Sequence, residues 1–152
     1  MGTVELEHDW LVHQRRMAEE LPALVKDARA AAAAEAGTIA AWREHLGRTL
    51  AVVGAALQAH IAADEHPEGF LPTSERRAPR LIHALEELRT EHRALIGEVA
   101  EAESVVSHTR VADDAPAAAG AVTVVLDRIE HHLHTAYRVA MDIANDDLGT
   151  GD

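Results

Sequence analysis

The sequence predicts an all-α fold, an antiparallel up-down-up-down four-helix bundle. Apolar residues recur at steps of three and four along four long segments, the signature of helices with one buried face. Hydrophobic residues make up 47% of the chain but aromatics only 3%, a composition dominated by alanine and leucine that suits helices rather than a sandwich or barrel. Breaker residues gather at three places that divide the four segments, and the first and third of these connections are short.

The first segment starts near Thr3, with Leu6, Trp10, His13, Met17, Leu21 and Leu24 as its inward stripe. Pro22 falls inside it and is expected to kink or restart the helix, because proline has no N–H and crowds the preceding turn. The alanine tract that follows ends at Gly37, read as a glycine C-cap, and Thr38 is placed to cap the next helix. The second segment runs from Ile39 to about Glu65, with Trp42, Leu46, Leu50, Val53, Leu57, His60 and Asp64 on one face, and Pro67 stops it. His66-Pro67-Glu68-Gly69-Phe70-Leu71-Pro72-Thr73-Ser74 is the richest breaker cluster and reads as the longest loop. A third helix begins near Pro79, carrying Leu81 or Ile82, Leu85, Leu88, His92, Leu95, Val99 and Val106 inward. After a turn at 112–116, the fourth carries Val122, Val125, Ile129, His132, Ala136, Val139 and Ile143.

At 152 residues the chain reads as a single domain, 1–152, able to bury one core. A formal net charge of -12 disfavours nucleic acid and anionic membranes, both of which need clustered Lys and Arg. The chain has no cysteine, which excludes disulfides, thiolate metal sites and cysteine nucleophiles. The N-terminus lacks a basic region followed by an apolar run, and no stretch is read as approaching the roughly 18 uncharged residues of a membrane span, so the expected location is cytoplasmic. No nucleophile triad, phosphate loop or dinucleotide fingerprint is present. An acidic bundle of this sort is compatible with a homodimer.

Eleven histidines are the compositional oddity. His13, His60, His92 and His132 each fall in the inward stripe of a different helix. A polar group left unpaired in a dry interior costs about 1 to 3 kcal/mol, so four such residues call for a ligand, and the ligand that suits imidazole is a metal ion. His60 and Asp64 stand four residues apart on one helix face, where imidazole and carboxylate can reach the same ion. Nitrogen and oxygen donors without thiolate suit Fe, Mn or Zn. Glu65 is either a second ligand or a solvated neighbour of Asp64. His8 belongs to another stripe, through Leu11 and Val12 to Arg15 and Arg16, and ranks below His13. His131 and Tyr137 border the core, where they can orient a ligand by hydrogen bonds. His45, His66, His83, His108 and His134 read as exposed.

Several of these residues carry a resemblance. Leu11-Val12-His13, His60-x-x-x-Asp64-Glu65 followed by Phe70-Leu71-Pro72, Leu88-Arg89-Thr90-Glu91-His92-Arg93-Ala94-Leu95 and His132 together resemble the hemerythrin-like HHE cation-binding domains across essentially the whole chain. The resemblance implies a four-helix bundle holding a non-haem di-iron centre, bridged by carboxylates and oxygen, that binds or reacts with O2, NO or peroxide. It implies His13, His60, Asp64, His92 and His132 as ligands. The chain departs from the family's pattern at Leu88, where a second third-helix histidine is usual, and at Ala136 and Tyr137, where a fourth-helix carboxylate is usual. Five matching ligands leave open one iron, or two completed by Glu65, His131, Tyr137 or Asp142. The expected function is a non-haem iron protein, with Fe2+ or Fe3+ in one or two ions, that binds or senses O2 or a related small molecule. The alternatives are an O2-activating oxidase or oxygenase, or a peroxide-handling enzyme, with a substrate pocket near the 66–78 loop. A metal-free helical module that binds a partner is the third reading.

Overall fold

In a computed structural model, residues 9–35 and 37–146 are described with their side chains, and the backbone of the first and last helices is followed out to Gly2 and Gly149. Helix α1 (Gly2–Ala33) continues through Pro22 without a break. The expected restart does not occur: Leu21, Val25 and Ala28 are fully packed on either side of the proline, and that burial outweighs the roughly 3 kcal/mol of a mid-helix proline. The helix ends at Ala33, four residues short of Gly37, and no described glycine takes a left-handed conformation, so the glycine cap expected at Gly37 does not form.

Thr38 does cap α2 (Ile39–Glu65), its hydroxyl accepting from the Ala41 amide at 3.1 Å. Trp42 Nε1 donates to the Ala32 carbonyl at 3.4 Å and ties the two helix ends together. Trp42, Leu46, Leu50, Val53, Leu57, His60 and Asp64 are all buried, as their spacing required. The helix stops at His66, held out of helical backbone by Pro67.

The segment read as a long loop contains a helix, α3 (Phe70–Arg77). Its breakers sit where a helix accepts them. Gly69 is the N-cap, and Pro72 falls in the first turn, where an N–H has no partner within the helix. Phe70, Leu71 and Ser74 are buried beneath it. Glycine is required at 69 by close approach, since a Cβ there would lie 2.1 Å from the Ala63 carbonyl oxygen. A 3₁₀ turn (Pro79–Leu81) then leads into α4 (Ile82–His108), and a second (Ala112–Asp114) into α5 (Ala115–Gly149). Every residue expected inward on α4 from Leu85 and on α5 from Val122 is buried.

The four long helices close a ring: α1 packs on α2 and α5, and α4 packs on α5 and α2, with α3 laid against α2 and α4. Arg29 bridges to Asp127 and Glu130 across α1 and α5, and Arg89 to Glu75 across α4 and α3. The core forms two apolar clusters. The larger holds Leu21, Leu46, Leu57, Leu95, Leu126 and Ile129 among others; the smaller holds Trp10, Phe70, Leu71, Leu85, Leu88, Ala136 and Ile143. Along α4, Leu88 of the smaller and Leu95 of the larger flank His92; along α5, Ile129 of the larger and Ala136 of the smaller flank His132. The histidines thus form a polar layer between the clusters.

One stretch, Ile39–Arg77, is long and apolar enough to cross a membrane, contrary to the expectation from the sequence. Positions 49–63 carry no Asp, Glu, Lys or Arg. A core helix has the same composition, and here Leu50, Val53 and Leu57 meet the other helices.

Candidate metal centre

Each of the four long helices brings one histidine to the site. α2 supplies His60 and Asp64, α4 His92 and α5 His132, each no more than 1% exposed. α1 supplies His13 and, one residue on, Gln14. The His92 and His132 rings lie 4.9 Å apart between centroids, and His60 stands 5.9 and 6.0 Å from them. His13 stacks on His60 at 5.7 Å, with 13° between the planes. A nitrogen from each of His60, His92 and His132 falls within 4.8 Å of the others, and the same holds for donor atoms of His13, His60 and Asp64. This is a buried His/Asp group that can hold a metal ion.

Its hydrogen bonding has a direction. His92 Nδ1 meets Glu65 Oε1 at 3.3 Å, and His132 Nδ1 meets Glu91 Oε2 at 2.5 Å. The carboxylates accept, so each ring carries its proton on Nδ1 and turns the lone pair of Nε2 inward. Those Nε2 atoms, His13 Nε2 and both nitrogens of His60 are buried without a hydrogen-bond partner. Asp64 is held by the Gln14 side-chain amide, which donates to Oδ1 at 2.5 Å. Its Oδ2 lies 3.1 Å from His60 Nε2 and 3.7 Å from His92 Nε2. The 3.1 Å approach is close enough for a hydrogen bond but not aligned for one. Imidazole and carboxylate therefore stand side by side, as ligands of a common ion do.

Burial first, and then repulsion from His132, His92 and His13, pushes His60 down to about 3. Burial and His132 bring His92 down to about 4, against the pull of Glu65 and Glu91. His132 and His13 are lowered for the same leading reason, burial. Burial raises Asp64 to about 8, opposed by the Gln14 amide and helped by Glu65. The imidazoles are thus kept neutral, the form that binds metal.

These shifts set the acid response of the metal-free protein. Below 6.5 the unfolded chain takes up protons that the folded histidines refuse, His60 until about 3, so stability falls with acid. Asp64 acts in the opposite sense: its contribution is complete below 3.8 and is lost as pH rises through about 8. Four imidazoles outweigh one carboxyl. The melting temperature in the presence of chelator is expected to peak around the unfolded histidine value of 6.5 and to fall on both sides, more steeply in acid. A melting temperature that climbs steadily from about pH 7 to about pH 4 would contradict this.

The structure brings His13, His60, Asp64, His92 and His132 together. His13 is less interior than its stripe implied, with 22% of its side chain exposed, because the buried face of α1 runs through Trp10, Gln14, Leu21, Val25 and Ala28. Glu65 is engaged with His92 Nδ1. His131 faces solvent rather than bordering the core, Tyr137 is half-buried and Asp142 exposed. The side chain of His8 lies outside the described residues. His45, His66, His83, His108 and His134 are exposed. Leu88 and Ala136 are buried in the smaller apolar cluster.

Two residues of the site have no role assigned from the sequence. Gln14 follows Trp10 by four positions and precedes Leu21 by seven, a helical spacing that a polar residue disguises. Glu91 is adjacent to His92 in the chain, yet it serves His132. A groove of about 470 Å³, lined by Trp10, His13, Ala62, His66 and Phe70 among others, opens beside His13. No family model, no curated protein and no solved structure matches the chain.

Proposed function

We propose that the protein is a non-haem iron protein of hemerythrin-like architecture that binds or senses O2 or a related small molecule such as NO or peroxide. The observation that carries this reading is the set of buried nitrogens without partners: Nε2 of His13, His60, His92 and His132, in two groups that share His60, with Asp64 in one of them. An imidazole and carboxylate donor set without thiolate suits iron, with Mn or Zn as the nearest competitors. Bound there, iron supplies the reversible redox chemistry that such molecules require. His60, His92, His132 and Asp64 hold the ion, Glu65 and Glu91 orient imidazoles, and the apolar clusters exclude bulk water.

The antiparallel up-down-up-down topology belongs to the same proposal. It is supported by the order in which the helices meet the two clusters. α1 passes from Trp10 to Leu21 and α4 from Leu88 to Leu95, smaller cluster to larger; α5 passes from Leu133 to Ala136, larger to smaller; α2 leaves the larger cluster at Ile61 and its chain enters the smaller at Phe70.

Anaerobic loading with Fe(II) followed by desalting is expected to leave iron on the protein, with an absorption change on admitting air. Loss of all iron on desalting would sink the proposal. The groove at His13 favours one second reading, an enzyme of oxygen or peroxide chemistry with its substrate there. Peroxide turnover that disappears in His60→Ala would select it over the binding or sensing role.

A further inference from the structure

Resemblance to hemerythrin-like domains implies two irons, but the side chains around this cluster are arranged for one. Resting on the metal-binding reading above, we propose that the site takes a single transition-metal ion, held by Nε2 of His60, His92 and His132 and by Oδ2 of Asp64.

The carboxylates supply the first argument. A carboxylate that bridges two ions gives one oxygen to each, and Asp64 has only one to give. Its Oδ1 accepts from Gln14 Nε2, and Gln14 is itself only 2% exposed, held in place within the bundle. The two other carboxylates at the cluster, Glu65 and Glu91, are engaged with the Nδ1 atoms of His92 and His132. Among the described residues, no carboxylate at the cluster has both oxygens free to bridge.

The surroundings supply the second. One turn from His92 and from His132, on the side where further ligands would come, lie Leu88 and Ala136, buried with Phe70, Leu71 and Leu85. An ion on that side would meet hydrocarbon and be desolvated without compensation. On the other side, His13, His60 and Asp64 form a second possible group, but it shares His60 with the first and draws on Asp64. The two groups overlap at His60, and Asp64 Oδ2, 3.1 Å from His60 Nε2 and 3.7 Å from His92 Nε2, reaches into the first, so together they offer one position rather than two. The nitrogens of His60, His92 and His132 lie within 4.8 Å of one another, and two ligands about 2.1 Å from a common ion stand at most about 4.2 Å apart, so small rotations close the site. His13, half-buried at the groove, is the donor left over and marks the side from which an exogenous molecule reaches the ion.

Titration of the full chain with Co(II), followed by its visible ligand-field bands and by native mass spectrometry, tests this. The bands are expected to grow linearly and stop at one equivalent, with one ion per chain in the mass spectrum. Two ions per chain would overturn the single-ion site and leave the metal-binding reading standing; no ion would overturn both. Gln14→Met, which keeps bulk but removes the amide, is expected to weaken Co(II) affinity about 10- to 100-fold and to alter the band pattern, because Asp64 loses the partner that fixes it. Unchanged affinity and bands in this variant, with its metal-free melting temperature intact, would overturn the part assigned to Gln14.

Discussion

Saturating the chelator-treated protein with metal is expected to raise its melting temperature by about 5–10 °C. The size follows from linkage: an ion at about one hundred times its dissociation constant stabilises the native state by about 2.7 kcal/mol, and a chain of this length gains about 2–4 °C per kcal/mol. The structural reason is the state of the empty cluster. His60 has two buried nitrogens without partners, and His13, His92 and His132 have one each. Each weakens the folded chain until it gains a partner. Differential scanning calorimetry with EDTA and then with excess Fe(II) or Zn(II) measures the shift. A melting temperature that does not move would mean that the native state has no preference for the ion, and the candidate centre would lose its basis.

Replacing His60 by leucine should act in opposite directions on binding and on stability. The variant loses the imidazole that lies 3.1 Å from Asp64 and is common to both donor groups, and metal retention is expected to vanish. The metal-free protein, however, should become more stable by about 1–3 kcal/mol, because a side chain of similar volume replaces two unpartnered polar atoms beside Leu57 and Ile61. Urea denaturation of the metal-free variant and wild type measures the difference. A less stable variant would show that His60 is satisfied in the native protein and is there for packing rather than for a ligand. The pairing of lost binding with gained stability is what distinguishes a binding residue from a core residue.

Much of the bundle was legible because α2, α4 and α5 keep long aliphatic side chains at helical spacing, and the buried positions read directly from that period. Helix α1 was harder. Trp10 and Leu21 belong both to a stripe through His13 and Met17 and to one through Gln14 and Val25, and the structure follows the second. An alanine-rich helix packs on small residues such as Ala28 and Ala31, which carry little hydrophobic signal. Helix α3 was hidden by Gly69 and Pro72, residues that end helices in the interior and start them at the first turn. The four histidines were visible because each sits in an otherwise apolar stripe. Their orientation was not: the pairings of Glu65 with His92 and of Glu91 with His132 join different helices, and no one-dimensional spacing encodes them.

The polar layer also bears on how the protein comes apart. Where His92 separates Leu88 from Leu95, and His132 stands between Ile129 and Ala136, the hydrocarbon packing that makes a core yield as one unit is interrupted. Cooperativity between the two halves passes through the imidazoles and Asp64 as well as along the helices. Without an ion, the half around Trp10, Phe70 and Ile143 is the smaller and the freer to open on its own, as locally unfolding segments do. With an ion bound to residues of α2, α4 and α5, opening that half breaks coordination bonds, and the centre becomes a rivet through which the whole bundle unfolds together.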